Sequence, residues 1–330
     1  MVFCTLFNSK YLDRGLVLFD SLEATLEDFK LYILCMDDLC AEILEKHNED
    51  KIITVRLSEF ETPVLKEIKT NRSVSEYFWT CTPLLIRYVL KERNEKECTY
   101  LDADMFFYSN PSVLLEEMEK AGKSVMFVPH NFAKRLNGKE KVVGQYCVEF
   151  NPFTKSEDSL MVLNEWANCC IESCGLIRDG KTFGDQKYLD ALSLKFDNIH
   201  ICKNNGAGIA PWNIDNFSLD DDLLRDRDGN ECIPVFFHFQ GIKFYEGQID
   251  IDVPANLKSI DYKVVDYFYK PYINFLLKKR KELKAYNIDF VVDYSSRFKQ
   301  NKIKNIIRRI MLKIPFIQGY LGNNVCLSTD

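Results

Sequence analysis

The sequence has 330 residues, of which 46% are hydrophobic and 13% aromatic, a composition that is typical of a globular protein and argues against a disordered chain. The formal net charge of −6, from 43 basic and 49 acidic side chains, gives no electrostatic reason to expect a nucleic-acid-binding protein. No uninterrupted apolar run approaches the roughly 20 residues that span a bilayer.

Short apolar runs alternate with helical patterns in the first sixty residues. The runs at 2–7, 30–36 and 52–57 are typical of strands, and the segments 11–26 and 39–46 are typical of helices. Strands that alternate with helices form a parallel sheet covered by those helices. The sequence therefore predicts an open α/β sheet.

Further elements continue this pattern to about residue 173. We predict a helix over 82–91, a strand over 98–101, a helix after Asn110-Pro111, a strand over 124–128, an apolar stretch over 145–150 and an amphipathic helix over 156–173. From about residue 264 the pattern is helical and increasingly basic. We therefore expect a boundary between 250 and 263, with a catalytic domain over 1–255 and a helical, basic extension over 256–330.

Twelve cysteines raise the question of a disulfide framework. The first residues lack the charged region and cleavage site of a secretory signal, and most cysteines lie inside apolar runs. Buried, reduced thiols are typical of an intracellular protein. We expect a cytoplasmic location.

Two aspartates, Asp102 and Asp104, follow an apolar strand and are separated only by Ala103. Open α/β sheets bind ligands at the carboxyl ends of their strands, and carboxylate oxygens suit Mg²⁺ or Mn²⁺. The alternative is a pair of solvated aspartates at the start of a loop. The motif alone leaves both open.

A second apolar strand, at 235–237, leads into His238, Gly241 and Lys243. The histidine could be a metal ligand, the glycine permits close backbone approach, and the lysine could meet phosphate charge. A lone histidine at a strand end is more often a structural hydrogen-bonding group. Only its combination with the aspartate pair favours a ligand.

Taken together, these motifs resemble those of the family 8 glycosyltransferases and their close relatives, which are enzymes of the GT-A fold. The resemblance spans roughly residues 1–250 and rests on Phe7-Asn8, the helix bearing Arg87, Tyr100-Leu101-Asp102-Ala103-Asp104, Phe183-Gly184-Asp185-Gln186 and His238-x-x-Gly241-x-Lys243. It implies a GT-A-like α/β fold and a transferase of the bacterial surface-polysaccharide type.

The resemblance also implies roles for individual residues. Asp102, Asp104 and His238 would bind Mn²⁺, or Mg²⁺, which bridges the two phosphates of a UDP-sugar. Donor contacts would come from Thr5, Leu6, Phe7, Asn8, Arg87, Ala103, Gly241 and Lys243. Asp185 and Gln186 would lie beside the anomeric centre of the sugar.

The sequence departs from the family pattern at two places. Lys243 is one residue closer to the histidine than in the family's Gly-Pro-x-Lys, and the family's Asn-x-Gly element is not recognisable at 146–151. The segment 206–213 contains Trp212, which could stack on a sugar or be part of the core. These departures concern the contacts of the donor sugar.

The C-terminal segment has no acidic residue between Ser295 and Thr329. Isoleucines recur there at helical spacing beside Lys302, Lys304, Arg308, Arg309 and Lys313. A basic amphipathic helix of this type suits an anionic membrane surface. The alternative is a helix packed on the domain with its basic face in water.

The expected activity is transfer of a sugar from a UDP-sugar to a glycan or lipid-linked glycan, with retention implied by the family. A sugar nucleotidyltransferase is one alternative, but the run from Cys4 to Asn8 has no glycine-rich nucleotide loop. A catalytically silent glycan- or membrane-binding protein is another, against which the metal-binding pattern argues.

Overall fold

The computed structural model describes residues 1–175, 182–245, 248–255, 257–290 and 324–328. The strands are β1 Val2–Phe7, β2 Lys30–Cys35, β3 Ile52–Arg56, β4 Glu97–Leu101, β5 Met105–Phe107, β6 Val125–Pro129, β7 Tyr146–Cys147, β8 Phe150–Thr154, β9 Ile199–Ile201, β10 Ser218–Asp220, β11 Leu223–Arg225, β12 Phe236–His238, β13 Lys243–Tyr245, β14 Gln248–Pro254 and β15 Asn324–Ser328. The α-helices are α1 Leu12–Thr25, α2 Asp38–His47, α3 Leu57–Phe60, α4 Pro63–Thr70, α5 Val74–Lys91, α6 Ser112–Lys120, α7 Glu140–Val143, α8 Glu157–Glu172, α9 Tyr188–Lys195 and α10 Tyr262–Glu282.

The central sheet has the strand order β3-β2-β1-β4-β8-β6-β7, with β9 beside β6. Strands β1 to β4 are parallel, whereas β8 lies antiparallel between β4 and β6. Helices cover both faces, and one apolar cluster lies on each face of the sheet. The predicted mostly parallel sheet flanked by helices is confirmed.

The order of the strands reverses between β1 and β4. Chain connections leave these two strands in opposite directions, so a crevice opens beyond their carboxyl ends. Phe7 ends β1 and Leu101 ends β4, with the two strands paired through Cys4 and Tyr100. The residues that follow both strands therefore lie at one edge of the sheet.

Helix α5 begins eight residues earlier than the predicted start at residue 82. Ser73 caps it, because its side chain accepts from the Glu76 N–H while the Glu76 side chain accepts from the Ser73 N–H. Pro83, expected in the first turn, lies inside the helix. Buried residues on both sides of Pro83 stabilise the helix enough to tolerate one missing backbone hydrogen bond.

Helix α10 packs against the α/β body. Its buried residues Phe268, Tyr269 and Tyr272 share an apolar cluster with Phe237 and Phe239, and Phe239 stacks on Tyr272 with ring centroids 3.7 Å apart. Strand β15 pairs with β14. Both elements belong to the extension predicted over 256–330, and the division at residue 255 stays a prediction.

The predicted basic helix, with Lys302, Lys304, Arg308, Arg309 and Lys313, lies outside the described residues. Within the described part of the chain, no helix combines the length and the apolar character needed to cross a membrane.

Candidate active site

The end of β4 presents two carboxylates at the edge of the sheet. The Asp102 N–H donates to the Glu149 backbone oxygen at 3.1 Å, and the Tyr100 hydroxyl donates to Asp102 Oδ1 at 2.8 Å. The Asp102 side chain is nevertheless 30% exposed. The loop is thus fixed by its neighbours while one carboxylate oxygen stays available.

His238, the last residue of β12, lies beside these two carboxylates. It pairs antiparallel with β5, so that His238 lies opposite Met105, and the Phe239 N–H donates to the Asp104 backbone oxygen at 2.8 Å. His238 Nε2 lies 3.5 Å from Asp102 Oδ2 and 3.2 Å from Asp104 Oδ1. The structure therefore brings His238 next to two aspartates that are distant from it in sequence.

These three residues fit a divalent cation. Their ligand atoms all lie within 4.8 Å of one another. Neighbouring ligands on an octahedral ion with bonds of about 2.1 Å stand about 3 Å apart, so the observed spacing needs only a small adjustment. Carboxylates suit Mg²⁺ and Mn²⁺, and the imidazole favours a transition-metal ion over Mg²⁺.

The electrostatics of these residues also favour the binding of a cation. Burial alone would lower the pKa of His238, but Asp104 and Glu149 raise it well above its ordinary value. Burial opposes ionisation of Asp104, yet the neighbouring His238 lowers its pKa. Burial raises the pKa of Asp102 to about 7 against the influence of His238. A proton on the imidazole therefore balances the carboxylates, and a bound cation would displace it.

Glu149 belongs to the site although the sequence motifs did not indicate it. Its side chain is fully buried, and Oε2 lies 2.8 Å from His238 Nδ1. It falls in the segment 146–151, where no family element was recognised. The one sequence signal was an acidic residue within an apolar stretch, which alone does not reveal a partner 89 positions away.

A cavity of about 390 Å³ extends from the metal-ligand cluster. Its polar wall includes Asp102, Asp185, Gln186, Gln240 and His238. Its apolar wall includes Trp79, Phe132, Val148, Phe183, Pro211 and Trp212. A cleft whose wall combines apolar side chains with convergent polar and charged groups is typical of a small-molecule site.

Asp185 is the buried carboxyl group of this cavity. It is 4% exposed, and Oδ2 has no hydrogen-bond partner within the described residues. Burial, and then the charge of Asp102, raise its pKa to about 8. Helix α9 begins only at Tyr188 and has no side-chain cap, so Asp185 is not the N-cap of this helix.

Gln186 and Trp212 are oriented by the surrounding backbone. The Gln186 Nε2 donates to the Val143 oxygen at 2.7 Å, and Trp212 Nε1 donates to the His130 oxygen at 2.9 Å. The Trp212 ring meets His238 edge-on at 5.3 Å between centroids. Trp212 is only 8% exposed, so it is packed in the core and also lines the cavity.

Several residues predicted to contact the donor are not among those that line this cavity. Thr5, Leu6 and Phe7 have buried side chains in β1, and Asn8 follows them half-buried. Ala103 is buried between the two aspartates, Arg87 is half-buried on α5, where burial lowers its pKa, and Lys243 is exposed on β13. None of these lines the cavity among the described residues, and their roles stay predictions.

Gly241 occupies a position that requires glycine. Its φ is +85°, and a Cβ there would lie 2.7 Å from Asp252 Cβ. The turn after His238 therefore depends on the missing side chain. The close neighbour is Asp252 of the same chain, and a donor contact at Gly241 stays a prediction.

Two proteins of Bacillus subtilis are similar to this chain in sequence. No model of a known protein family matches the chain. YfnF of Bacillus subtilis (strain 168), described as uncharacterized, is 30% identical over 248 residues, which cover 73% of this chain and 81% of YfnF. YfnD of the same organism, also described as uncharacterized, is 27% identical over 295 residues, which cover 87% of this chain and 92% of YfnD.

Among solved structures, the galactosyltransferase LgtC in complex with donor and acceptor sugar analogues superposes with a TM-score of 0.53 at 12% identity, covering 84% of this chain and 96% of LgtC. The bifunctional glycosyltransferase WbbM superposes with a TM-score of 0.50 at 12% identity, covering 87% of this chain and 51% of WbbM. The predicted GT-A-like fold is confirmed by these similarities.

Proposed function

The chain belongs to the same protein family as YfnF of Bacillus subtilis and has the GT-A fold, and from these premises we propose that it is a metal-dependent glycosyltransferase. Its donor would be a UDP-sugar and its acceptor a glycan or lipid-linked glycan. The observation that carries the proposal is the convergence of Asp102, Asp104 and His238 at one end of a cavity whose wall contains Asp185 and Gln186.

The three proposed metal ligands differ in charge. Asp102 and Asp104 supply negative charge, and His238 supplies a neutral nitrogen once its Nε2 proton is lost. A divalent ion held there would neutralise the diphosphate that departs when the bond between the anomeric carbon and the phosphate oxygen breaks. The short loop between β4 and β5 fixes both carboxylates, so little reorganisation is needed.

Asp185 is suited to the positive charge that develops on the sugar. Its Oδ2, which has no hydrogen-bond partner among the described residues, is buried in the cavity wall, where an ionised carboxylate would stabilise an oxocarbenium-like centre strongly. An approaching cationic centre favours ionisation of the buried carboxyl group. We therefore assign Asp185 to charge stabilisation beside the anomeric carbon or to orientation of the acceptor hydroxyl.

Gln186 would contact the sugar without adding charge. One solved structure of LgtC describes an active-site mutant in which a glutamine is replaced by glutamate, and that structure superposes with a TM-score of 0.51 at 14% identity, covering 84% of this chain and 96% of LgtC. In this chain the Gln186 amide nitrogen is held by the Val143 oxygen, which turns the amide carbonyl into a fixed acceptor for a hydroxyl. Retention at the anomeric carbon is part of the proposal by resemblance only.

The test is a panel of UDP-sugars, with and without Mn²⁺, in which thermal shift reports binding and release of UDP reports slow hydrolysis or transfer. We expect a stabilisation by at least one UDP-sugar that requires the metal and is abolished by EDTA. Stabilisation that is equal with and without Mn²⁺, or seen with none of the UDP-linked sugars, would contradict the proposal.

A further inference from the structure

Glu149 contacts both kinds of metal ligand at once. Its backbone oxygen accepts the Asp102 N–H at 3.1 Å, and its side-chain Oε2 lies 2.8 Å from His238 Nδ1. The residue lies in the connection between β7 and β8, directly beside β4 in the sheet. One residue therefore links the aspartate loop to the histidine strand.

The hydrogen bond between His238 and Glu149 determines which nitrogen of the imidazole carries the hydrogen. A carboxylate only accepts, so Nδ1 must carry the hydrogen that it shares with Glu149. A neutral ring with its hydrogen on Nδ1 has its lone pair on Nε2. Since Nε2 is the nitrogen that faces Asp102 Oδ2 and Asp104 Oδ1, Glu149 leaves the lone pair pointing into the metal-ligand cluster.

The missing side chain at Gly208 leaves room for the carboxylate of Glu149. Gly208 has a φ of +70°, and a Cβ there would lie 3.0 Å from Glu149 Oε1 and 2.8 Å from Val128 Cγ1. The Glu149 side chain is fully buried, and Oε1 has no hydrogen-bond partner among the described residues. Burying a carboxylate with one unsatisfied oxygen is costly, so stability alone does not explain a glutamate at this position.

We propose that Glu149 is a positioning residue of the metal centre, which sets the tautomer and the ring orientation of His238 and so raises the affinity for the ion. This inference rests on the proposed function, because it presupposes the ion held by Asp102, Asp104 and His238. Loss of a carboxylate that orients a metal-bound histidine typically weakens metal affinity by about 10–100-fold. Glu149 acts through His238 and does not touch substrate.

The experiment compares Glu149→Ala and Glu149→Gln with a matched control in the same chain. Glu117 Oε1 lies 2.6 Å from His200 Nε2, on helix α6 and strand β9, outside the cavity wall. Glu117→Ala therefore also removes a carboxylate from a histidine. The readout is the Mn²⁺ dissociation constant, measured from the EPR signal of free Mn²⁺ with UDP present, at a temperature where each variant is folded by circular dichroism.

We expect Glu149→Ala to raise the Mn²⁺ dissociation constant by about 10–100-fold. Glu149→Gln keeps an acceptor oxygen for Nδ1–H and should lose less, while Glu117→Ala should match the wild type. An unchanged dissociation constant in folded Glu149→Ala overturns the inference but leaves the proposed function intact. A wild-type protein that does not bind Mn²⁺ overturns the proposed function itself.

A second measurement is made on the wild-type protein and does not depend on the folding of a Glu149 variant. The chain has four histidines, so two-bond ¹H–¹⁵N correlations of the Mg²⁺- and UDP-bound wild-type protein can be assigned with one His238→Gln variant. We expect the His238 hydrogen on Nδ1. A hydrogen on Nε2 in the loaded protein overturns the inference even if Glu149→Ala fails to fold.

Discussion

Replacing Asp185 by asparagine should change how the stability of the metal-free protein depends on pH. Asparagine has nearly the shape of the protonated carboxyl group but cannot ionise. In the structure Asp185 is buried in the cavity wall, and burial followed by the charge of Asp102 raises its pKa to about 8. As the pH rises, the wild-type carboxyl group must therefore ionise in a buried environment that disfavours its charge. The variant has no ionisable group at this position.

The sign follows from proton binding in the two states. Between the unfolded pKa of about 4 and the folded pKa of about 8, the folded protein binds more protons at Asp185 than the unfolded chain does, so the free energy of unfolding falls as pH rises. The full pKa difference between the folded and unfolded states corresponds to at most about 5 kcal/mol of unfolding free energy. Relaxation of the structure and entry of water reduce this contribution to a few kcal/mol. Below about pH 4 and above about pH 8 the contribution is constant.

The assay is urea unfolding of wild type and Asp185→Asn in EDTA at pH 5, 6, 7 and 8. His238 and Asp102 also titrate, but both proteins contain them, so the difference between the two curves reports the ionisation of Asp185 together with its coupling to Asp102. We expect the variant to gain stability relative to wild type steadily from pH 5 to 8. Parallel curves would refute the buried, proton-holding state of Asp185 and with it the physical basis of its proposed role.

Three further changes test other parts of the site. Gly241→Ala should cost about 1–3 kcal/mol in urea unfolding, because the residue has a φ of +85° and the new Cβ would collide with Asp252; a neutral effect would show that the turn adapts. Trp212→Phe keeps an aromatic ring but loses the bond to the His130 oxygen, so we expect about 1–3 kcal/mol less stability and weaker donor binding; unchanged calorimetric affinity for UDP-sugar would place the indole outside the donor site. Charge reversal in the C-terminal segment should abolish sedimentation with anionic liposomes at low salt and leave UDP binding unchanged; no difference from wild type contradicts the membrane prediction. The reversed residues are Lys302, Lys304, Arg308, Arg309 and Lys313.

Sequence patterns predicted the parallel half of the sheet because they are local there. Strands β1, β2 and β3 alternate with α1 and α2, and each apolar run specifies its own element. The antiparallel β8 was missed because its place between β4 and β6 is set by pairing over long separations. The start of α5 is also not predicted correctly, because Pro83 indicates a helix start at residue 82 whereas the cap is Ser73.

The residues of the candidate site also differ in whether the local sequence reveals them. Asp102 and Asp104 share one short loop, so their proximity could be predicted from sequence, whereas their meeting with His238 followed only from the family resemblance. Glu149 could not be found, because its role depends on a contact between β12 and the β7–β8 connection. The unpartnered Oδ2 of Asp185 is likewise a property of packing, invisible in sequence.

Calorimetric titration of UDP with and without Mn²⁺ shows whether Asp102 and Asp104 hold a metal ion that binds the diphosphate. It should be applied to the wild type, Asp102→Asn and Asp104→Asn, each confirmed as folded. We expect wild type to bind UDP much more tightly with Mn²⁺, and either asparagine variant to lose this metal-dependent gain because it lacks one anionic ligand. Wild-type UDP affinity that is the same in Mn²⁺ and in EDTA, or variants that keep the metal-dependent gain, would contradict this expectation.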